Sequence, residues 1–254
     1  MTILRFVLIA AVSACAGTIA RAAAPVDLLI VADETVLSSL RPKLVSPVTT
    51  TRASWTSWQG QLDGKTVVLA RTEGDPLNAV AATTLAIRAH PPRLIMTAGT
   101  ARAHDPSLRS GDLVISEKFA AFDGMVTEHR HLGEGSDGTT WKKLPHALMT
   151  PGEKEQYVDS FPADSAAGAI ALGLKTPGGR TLPGVLGSAH QINREADRIA
   201  ALRALWGTST EDTESAHVAG CAKLFGIPVV GLRLIDGSPA EISMLILEFV
   251  EAWE

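Results

Sequence analysis

Two neighbouring stretches decide the fold of this chain: Gly207-Thr-Ser-Thr-Glu-Asp-Thr-Glu-Ser-Ala-His-Val-Ala-Gly220 and Ile227-Pro-Val-Val-Gly-Leu-Arg-Leu-Ile-Asp-Gly-Ser238. In the first stretch, three acids stand directly before an Ala-rich helix pattern. The second is an apolar strand pattern that ends in a further acid, Asp236. Because open α/β sheets bind ligands beyond the carboxyl ends of their strands, these acids indicate a ligand site.

Strand and helix patterns alternate along the rest of the chain. Val26–Val31 and Arg93–Thr97 are apolar runs typical of buried strands, and Asn78–Ala89 has helical spacing up to a Pro-Pro pair. This alternation predicts an α/β fold with a largely buried sheet. The stretch Phe122–Thr181 is rich in Gly, Pro, Ser and Asp, and we expect it to form loops and short elements around a site.

The composition limits the possible functions. The chain has 254 residues, of which 46% are hydrophobic and 20% charged, which fits one domain with a sizeable core. The net charge of −4, the absence of a basic block and an aromatic content of 5% argue against a nucleic acid partner. No phosphate-loop motif or serine-hydrolase elbow is found, and His129-x-His131 lacks further ligands at matching spacing. We therefore predict no metal and no cofactor.

The first 22 residues are typical of a secretory signal. Arg5 precedes the apolar run Phe6–Ala16, and Ala20-Arg21-Ala22 resembles a cleavage site. The predicted product is a single domain over residues 23–254, exported to the periplasm or secreted. Alternatively, Val12-Ser-Ala-Cys15 is a lipobox, in which case Cys15 would be lipidated and the protein would be held at a membrane.

Three segments carry a resemblance to a known family. Trp58–Gly64 and the stretch Leu94–Ser116 resemble segments of methylthioadenosine/S-adenosylhomocysteine nucleosidases, the latter matching the pattern TG-A-G … DP-L-GDIV-S. Gly207–Gly220 resembles their VEMEGAAVA helix. Gly135-Ser-Asp137 with Trp141 is similar to an exported subgroup of the nucleoside phosphorylase superfamily.

The resemblance implies a fold and a reaction. The expected fold is a single domain with a central, twisted, mixed β-sheet that is partly closed and flanked by helices. The expected reaction is cleavage of the bond between a purine base and ribose. The expected assembly is a homodimer. Such a reaction needs a carboxylate on the ribose hydroxyls, a base for the attacking water and an acid near the leaving purine.

The acidic segment supplies the ribose end by this resemblance. Glu214 aligns with the glutamate that binds the ribose hydroxyls. Thr213 replaces a methionine that packs under the sugar, and Asp212 fills the first acidic position of the motif. Glu211 is expected to be an exposed acid at the helix N-terminus.

The resemblance places the water-activating glutamate just after the first strand. One register puts Glu34 in this role, and another puts Thr35 there. A helix-capping role for Asp33 and Glu34 is the alternative. Gly99-Thr100-Ala101 follows a strand, and its N–H groups could bind an anion, a water or a ribose oxygen.

Further binding residues are predicted on the remaining loops. Arg102 stands where the family usually has glycine; pointing inward it would hold phosphate, and pointing outward it would be an ordinary solvated charge. Gly74 belongs to another small loop near the same site. Near the base, Gln191 could hydrogen-bond the purine and Ile192 could pack on it, in place of the family's aromatic residue.

The last acid departs from the family pattern. The family aspartate falls on Gly237, and Asp236 lies one residue early. A one-residue offset on a strand turns a side chain to the opposite face, unless a local bulge restores its direction. Proton delivery by Asp236 is therefore predicted only if the backbone is irregular there.

Three functions follow from these residues. The leading one is hydrolysis of methylthioadenosine- or S-adenosylhomocysteine-type nucleosides to adenine. The second is a phosphate-dependent nucleoside phosphorylase. The third is a catalytically impaired nucleoside-binding or storage-like protein, suggested by Thr213, Gly237 and the missing aromatic residue.

Overall fold

The computed structural model describes residues 25–152 and 155–253, and within these ranges it contains fourteen strands and six α-helices. The strands are β1 (Val26–Ala32), β2 (Val45–Arg52), β3 (Trp55–Leu62), β4 (Lys65–Arg71), β5 (Pro92–Ala103), β6 (Leu113–Ala121), β7 (Met125–Val126), β8 (Lys142–Lys143), β9 (His146–Met149), β10 (Glu155–Val158), β11 (Phe161–Pro162), β12 (Thr181–Ser188), β13 (Thr210–Asp212) and β14 (Val229–Ile235). The helices are α1 (Glu34–Leu40), α2 (Pro76–Ala89), α3 (Ser165–Ala171), α4 (Ala196–Trp206), α5 (Ser215–Phe225) and α6 (Pro239–Ala252).

A mixed sheet forms the centre of the molecule. Its strands follow the order β11-β6-β12-β13-β5-β1-β4-β3-β2, and β14 pairs with both β5 and β6. The strands β5, β14, β6, β12 and β13 therefore close on themselves, whereas β1 to β4 extend from this ring as an open sheet. The prediction of a partly closed mixed sheet flanked by helices is confirmed.

The two segments that decide the fold adopt the predicted elements. The helix α5 ends at Gly226, which has a φ of 67°, and α4 ends at Gly207, which has a φ of 73°, as expected for glycine C-caps. The strand β14 is buried at all seven positions. It lies between β5 and β6, and both faces of a strand in that position must be apolar, which explains its nearly continuous apolar sequence.

The middle of the chain does not line the cavity that opens at the ends of β1, β5 and β14. Two small hairpins, β7–β8 and β9–β10, precede β11 and α3. None of the described residues between 122 and 181 lines this cavity, so the prediction that this stretch surrounds the site is wrong. In the part of the chain that the structure describes, no helix is long and apolar enough to cross a membrane. The predicted signal lies outside the described residues.

Candidate functional site

A cavity of about 500 Å³ opens where β1, β5, β13 and β14 end or meet. It is lined by Asp33, Gly74, Gly99, Thr100, Ala101, Arg102, Gln191, Ile192, Glu211, Asp212, Thr213, Glu214, Arg233, Asp236 and Gly237. Every side chain or backbone segment that the sequence predicted for the site lies on this cavity, except Glu34 and its alternative Thr35.

Glu214 is a buried carboxylate on the wall of the cavity. Glu214 is 6% exposed and accepts a hydrogen bond from the Thr72 hydroxyl, and Arg233 Nη2 lies 3.7 Å from Glu214 Oε1. Burial raises the pKa of Glu214 to about 7, and the nearby carboxylates of Asp212 and Asp33 act in the same direction against Arg233 and Thr72. The side chain is thus held ready to accept hydrogen bonds, with few donors from the protein itself.

Asp212, two residues earlier, has a different environment. Its two oxygens accept hydrogen bonds from Ser188 Oγ at 2.8 Å, from the N–H groups of Glu214 and Ser215 at 2.8 and 2.7 Å, from Ser215 Oγ at 2.6 Å and from Arg233 Nε at 3.0 Å. Burial would raise the pKa of Asp212, but Arg233 and these hydrogen bonds hold it below its usual range. Asp212 therefore fixes the start of α5 and the position of its neighbour Glu214.

Arg233 is a site residue that the sequence reasoning missed. It is 1% exposed, and besides Asp212 its Nη2 donates to Thr97 Oγ1 at 3.0 Å. A buried arginine needs charged and polar partners, because an unpaired charge in the core is very costly. The signal that could have revealed it was a single arginine inside an otherwise apolar, buried strand.

Thr213 connects two sides of the cavity. Its hydroxyl donates a hydrogen bond to the carbonyl oxygen of Gly74, which has a φ of 65°. Glycine adopts this left-handed conformation without steric cost. Thr213, which replaces the family's methionine, thus forms a hydrogen bond to the Gly74 loop where the resemblance implies an apolar contact.

The segment Gly99–Ala101 lies within β5, whereas the sequence predicted that it follows the strand. Pairing of β5 with β1 ends at Thr97, and pairing with β13 begins at Arg102. Between these two ladders, the strand lines the cavity while it continues to pair with β14. The predicted role for its backbone N–H groups is compatible with this gap in the sheet.

An irregular backbone brings Asp236 to the cavity. The residue directly follows β14 and has a φ of 48°, a left-handed conformation that is uncommon for aspartate. This local turn, in place of a bulge at Gly237, puts the offset acid among the residues that line the cavity. A Cβ atom at Gly237 would overlap the side chain of Leu234, so the family aspartate does not fit here without movement of that leucine.

Glu34 and Asp33 take different directions after β1. Glu34 pairs with Arg41 and lies 3.6 Å from Arg71, and it does not line the cavity. Asp33 lines the cavity and also caps α1, accepting a hydrogen bond from Val36 N at 3.0 Å. Asp33 is therefore the acid of this segment that lines the cavity, although the sequence predicted only a helix-capping role for it.

Glu211 is buried, so the prediction of an exposed acid is wrong. It is 4% exposed, and it accepts hydrogen bonds from His104 Nε2 at 3.0 Å and from Asn193 N at 2.9 Å. Burial acts to raise the pKa of Glu211, but the hydrogen bonds from His104 and Asn193 lower it below its usual range. The error arose because the acid lies on the short strand β13 and not on the helix.

The outer part of the cavity is more exposed. Arg102 and Asp236 are exposed, Ile192 is 61% exposed and Gln191 is half-buried. Among the described residues, no carboxylate lies within ion-pair distance of Arg102, and no cluster of three or more His, Cys, Asp or Glu side chains could hold a metal ion. This part of the site can bind a polar or anionic group of a ligand.

Comparison with known proteins places the chain among related sequences. Residues 16–253 match the family model described as the Phosphorylase superfamily. A 5'-methylthioadenosine/S-adenosylhomocysteine nucleosidase from Tolumonas auensis is 25% identical over 227 residues, which are 88% of this chain and 91% of that protein. The corresponding nucleosidase from Marinomonas sp. is 29% identical over 178 residues, or 70% of each chain.

Solved structures share the fold. A 5'-methylthioadenosine/S-adenosylhomocysteine nucleosidase from S. pneumoniae, bound to the transition-state inhibitor MT-ImmA, has a TM-score of 0.74 at 16% identity, covering 90% of this chain and all of that one. A futalosine hydrolase mutant from Helicobacter pylori has a TM-score of 0.70 at 17% identity, covering 89% and 98%. At these identities the similarity shows a common fold.

Proposed function

Because this chain belongs to the phosphorylase superfamily, we propose that it hydrolyses the N-glycosidic bond of purine nucleosides, with methylthioadenosine- or S-adenosylhomocysteine-type nucleosides as substrates and adenine as a product. The related nucleosidases from Marinomonas sp. and Tolumonas auensis support glycosidic cleavage as the class of reaction. The observation that carries the proposal is the buried Glu214 carboxylate on the cavity wall, held by Thr72 and Arg233 but largely free of protein donors.

Glu214 is suited to hold the ribose. Its carboxylate can accept hydrogen bonds from two sugar hydroxyls, and such hydrogen bonds favour the ionised form of a carboxyl whose pKa is near 7. As the glycosidic bond breaks, the sugar becomes positively charged. A fixed negative charge beside it, on the buried side chain of Glu214, then stabilises the transition state more than the ground state.

Asp33 and Asp236 are the remaining carboxylates suited to acid–base chemistry. Asp33 lies near Glu214 and replaces Glu34 in our assignment of the base that activates the attacking water. Asp236, on the outer part of the cavity, is assigned to deliver a proton to the leaving purine. This division places the nucleophile and the leaving group at different carboxylates.

Arg102 supports a second candidate function, phosphorolysis. Its guanidinium lies on the cavity with no carboxylate within ion-pair distance among the described residues, and an arginine is well suited to bind phosphate. In that reaction inorganic phosphate would replace water as the nucleophile, and ribose 1-phosphate derivatives would form.

One assay separates these functions. The purified protein is incubated with methylthioadenosine, with and without phosphate, and adenine release is followed. Turnover that is independent of phosphate supports hydrolysis, and a strict phosphate requirement supports phosphorolysis. Binding of the nucleoside by calorimetry without turnover in either condition would contradict both and favour a nucleoside-binding protein.

Export and assembly are further proposals. Cleavage after Ala22 is tested by sequencing the N-terminus of the protein recovered from the periplasm, and lipidation at Cys15 would instead leave it in the membrane fraction.

A homodimer is supported by Leu77 and Val80, exposed apolar residues on one face of α2, a few residues from the cavity residue Gly74. Light scattering of Leu77→Glu should then show monomers if this face is the interface.

A further inference from the structure

A row of five hydrogen-bonded side chains runs beside the cavity. His104 Nε2 lies 3.0 Å from Glu211 Oε2, and Asn193 Nδ2 donates to the same oxygen. Arg198 Nε donates to Asn193 Oδ1 at 2.6 Å, and Arg198 Nη2 donates to Gln191 Oε1 at 2.9 Å. The row thus leads from a buried histidine to the half-buried Gln191 at the cavity.

The two charged members fix the direction of every hydrogen bond in this row. An ionised carboxylate only accepts and a guanidinium only donates. Asn193 must therefore turn its NH₂ group to Glu211 and its oxygen to Arg198. For the same reason, Gln191 must turn its oxygen to Arg198, which settles the orientation of an amide that is otherwise ambiguous.

Arg198 is itself held in place from the other side. Its guanidinium carbon lies 5.3 Å from the centre of the Trp141 ring, which is 8% exposed. This cation–π contact, together with the hydrogen bonds to Asn193 and Gln191, restrains the guanidinium. The Gln191 oxygen is thus anchored, and its NH₂ group forms no hydrogen bond within the described residues.

We infer that Gln191 determines base specificity by donating a hydrogen bond from Nε2 to an acceptor atom of the bound base, and that Arg198 is its positioning residue. The inference rests on the proposed function, since it requires a nucleobase at the outer part of the cavity. The neighbouring Ile192 offers that base an apolar contact. The favoured ligands are planar heterocycles with a ring nitrogen or a carbonyl oxygen directed at Gln191, and a C–H or an amino group at that position is disfavoured.

The test measures binding of free bases by calorimetry. The probes are adenine, its 1-, 3- and 7-deaza analogues, each of which replaces one acceptor nitrogen with C–H, and hypoxanthine, which carries a carbonyl oxygen at position 6. If a ring nitrogen accepts the hydrogen bond, the wild-type protein should bind the analogue that lacks this nitrogen about tenfold more weakly than adenine. If the acceptor is a carbonyl oxygen at position 6, adenine should bind about tenfold more weakly than hypoxanthine. A hydrogen-bond donor that is left without an acceptor lowers the affinity by roughly this factor.

Three variants separate recognition from folding. Gln191→Glu keeps the contact with Arg198 but removes the donor, and Gln191→Leu removes both; each should abolish the tenfold discrimination. Arg198→Met frees the amide to rotate and should reduce the discrimination to about twofold even where overall affinity changes little. Gln61→Leu, on an exposed strand position away from the cavity, is the control and should leave the discrimination unchanged.

Discrimination that survives in Gln191→Leu and Gln191→Glu overturns the inference, and so does a wild-type protein that binds none of these bases at millimolar concentration. Thermal melting identifies a variant that does not fold; if Arg198→Met fails in this way, the two Gln191 variants still decide. Base discrimination that depends on Gln191 in a protein without glycosidic cleavage would refute the proposed function alone. Cleavage with unchanged discrimination would refute this inference alone.

Discussion

The inner and outer groups of cavity residues differ in how tightly the fold holds them. The inner group, Asp212, Glu214 and Arg233 with the adjacent Thr72, has buried side chains that share a continuous set of hydrogen bonds and ion pairs. The outer group, Arg102, Gln191, Ile192 and Asp236, is half-buried or exposed. The inner group retains the acids of the family motif, whereas the outer group departs from the family at nearly every position. Substitutions in the inner group should therefore lower kcat/KM most, and substitutions in the outer group should mainly change which ligands bind.

Within the inner group, two acids whose side chains are both buried differ in their hydrogen bonds. Asp212 accepts from five donors, and its pKa is lowered. Glu214 accepts from Thr72 and has Arg233 nearby, and its pKa is raised to about 7. The number of donors, and not the depth of burial, decides which acid is structural and which is available to a ligand.

The largest expected effect is on catalysis by Glu214→Gln. The variant should reduce kcat/KM by about a thousandfold, since it removes the negative charge that faces the developing positive charge of the ribose. In the wild type, kcat/KM should rise with pH up to about 7, as Glu214 becomes ionised. Adenine release measured from pH 5 to 9 checks both, with the exposed Glu248→Gln as the matched control. A rate equal to that of the control would remove Glu214 from the site.

The same two acids should respond in opposite directions in stability. Glu214 has a folded pKa above its ordinary value of 4.5, so its contribution favours folding at low pH and is lost as the pH rises to about 7. Glu214→Gln should therefore be more stable than the wild type at pH 8, by up to about 3 kcal/mol, with little difference at pH 5.

Asp212→Asn should instead destabilise the fold by about 3 kcal/mol at pH 8, because an amide cannot accept all five hydrogen bonds and leaves Arg233 without its nearer carboxylate. Thermal melting of both variants at pH 5 and pH 8 measures the contrast. Equal stabilities for the two amide variants at pH 8 would show that the difference in hydrogen bonding has no energetic consequence.

The next effect separates the adjacent acids after β1. Asp33→Asn should lower kcat by about a hundredfold through loss of the base, a typical contribution of general base catalysis. Glu34→Gln, which alters a carboxylate that pairs with Arg41 outside the cavity, should change kcat less than twofold. Steady-state kinetics of both variants test the assignment, and the reverse pattern would return the role to Glu34.

The smallest effect is expected in the outer group. Asp236→Asn should lower kcat by about tenfold, because at this exposed position water can take over part of the proton delivery. A 7-deaza substrate analogue, whose base lacks the N7 acceptor, offers a comparison in which the variant and the wild type should react at similar rates. A loss as large as that of Glu214→Gln would contradict the division between inner and outer groups.

The family pattern made much of the fold predictable. Periodicity placed β14, α2 and α5 within a few residues of their observed bounds, because long apolar or Ala-rich runs leave few alternatives. Glu211 was misjudged since a strand of three residues carries no periodic signal. Arg233 was overlooked because its partners, Thr97 and Asp212, are distant in the sequence.

The sequence by itself determined the α/β alternation, the family and the positions of the acids along the chain, since these depend on local composition and spacing. Only the tertiary structure decided the surroundings of each acid. It turned Asp33 to the cavity and Glu34 to Arg41, surrounded Asp212 with donors, and left Glu214 with few. It also placed the offset Asp236 at the edge of the cavity through a left-handed turn. The properties of a carboxylate depend on donors and charges brought together from separate strands, and these contacts exist only once the sheet has closed.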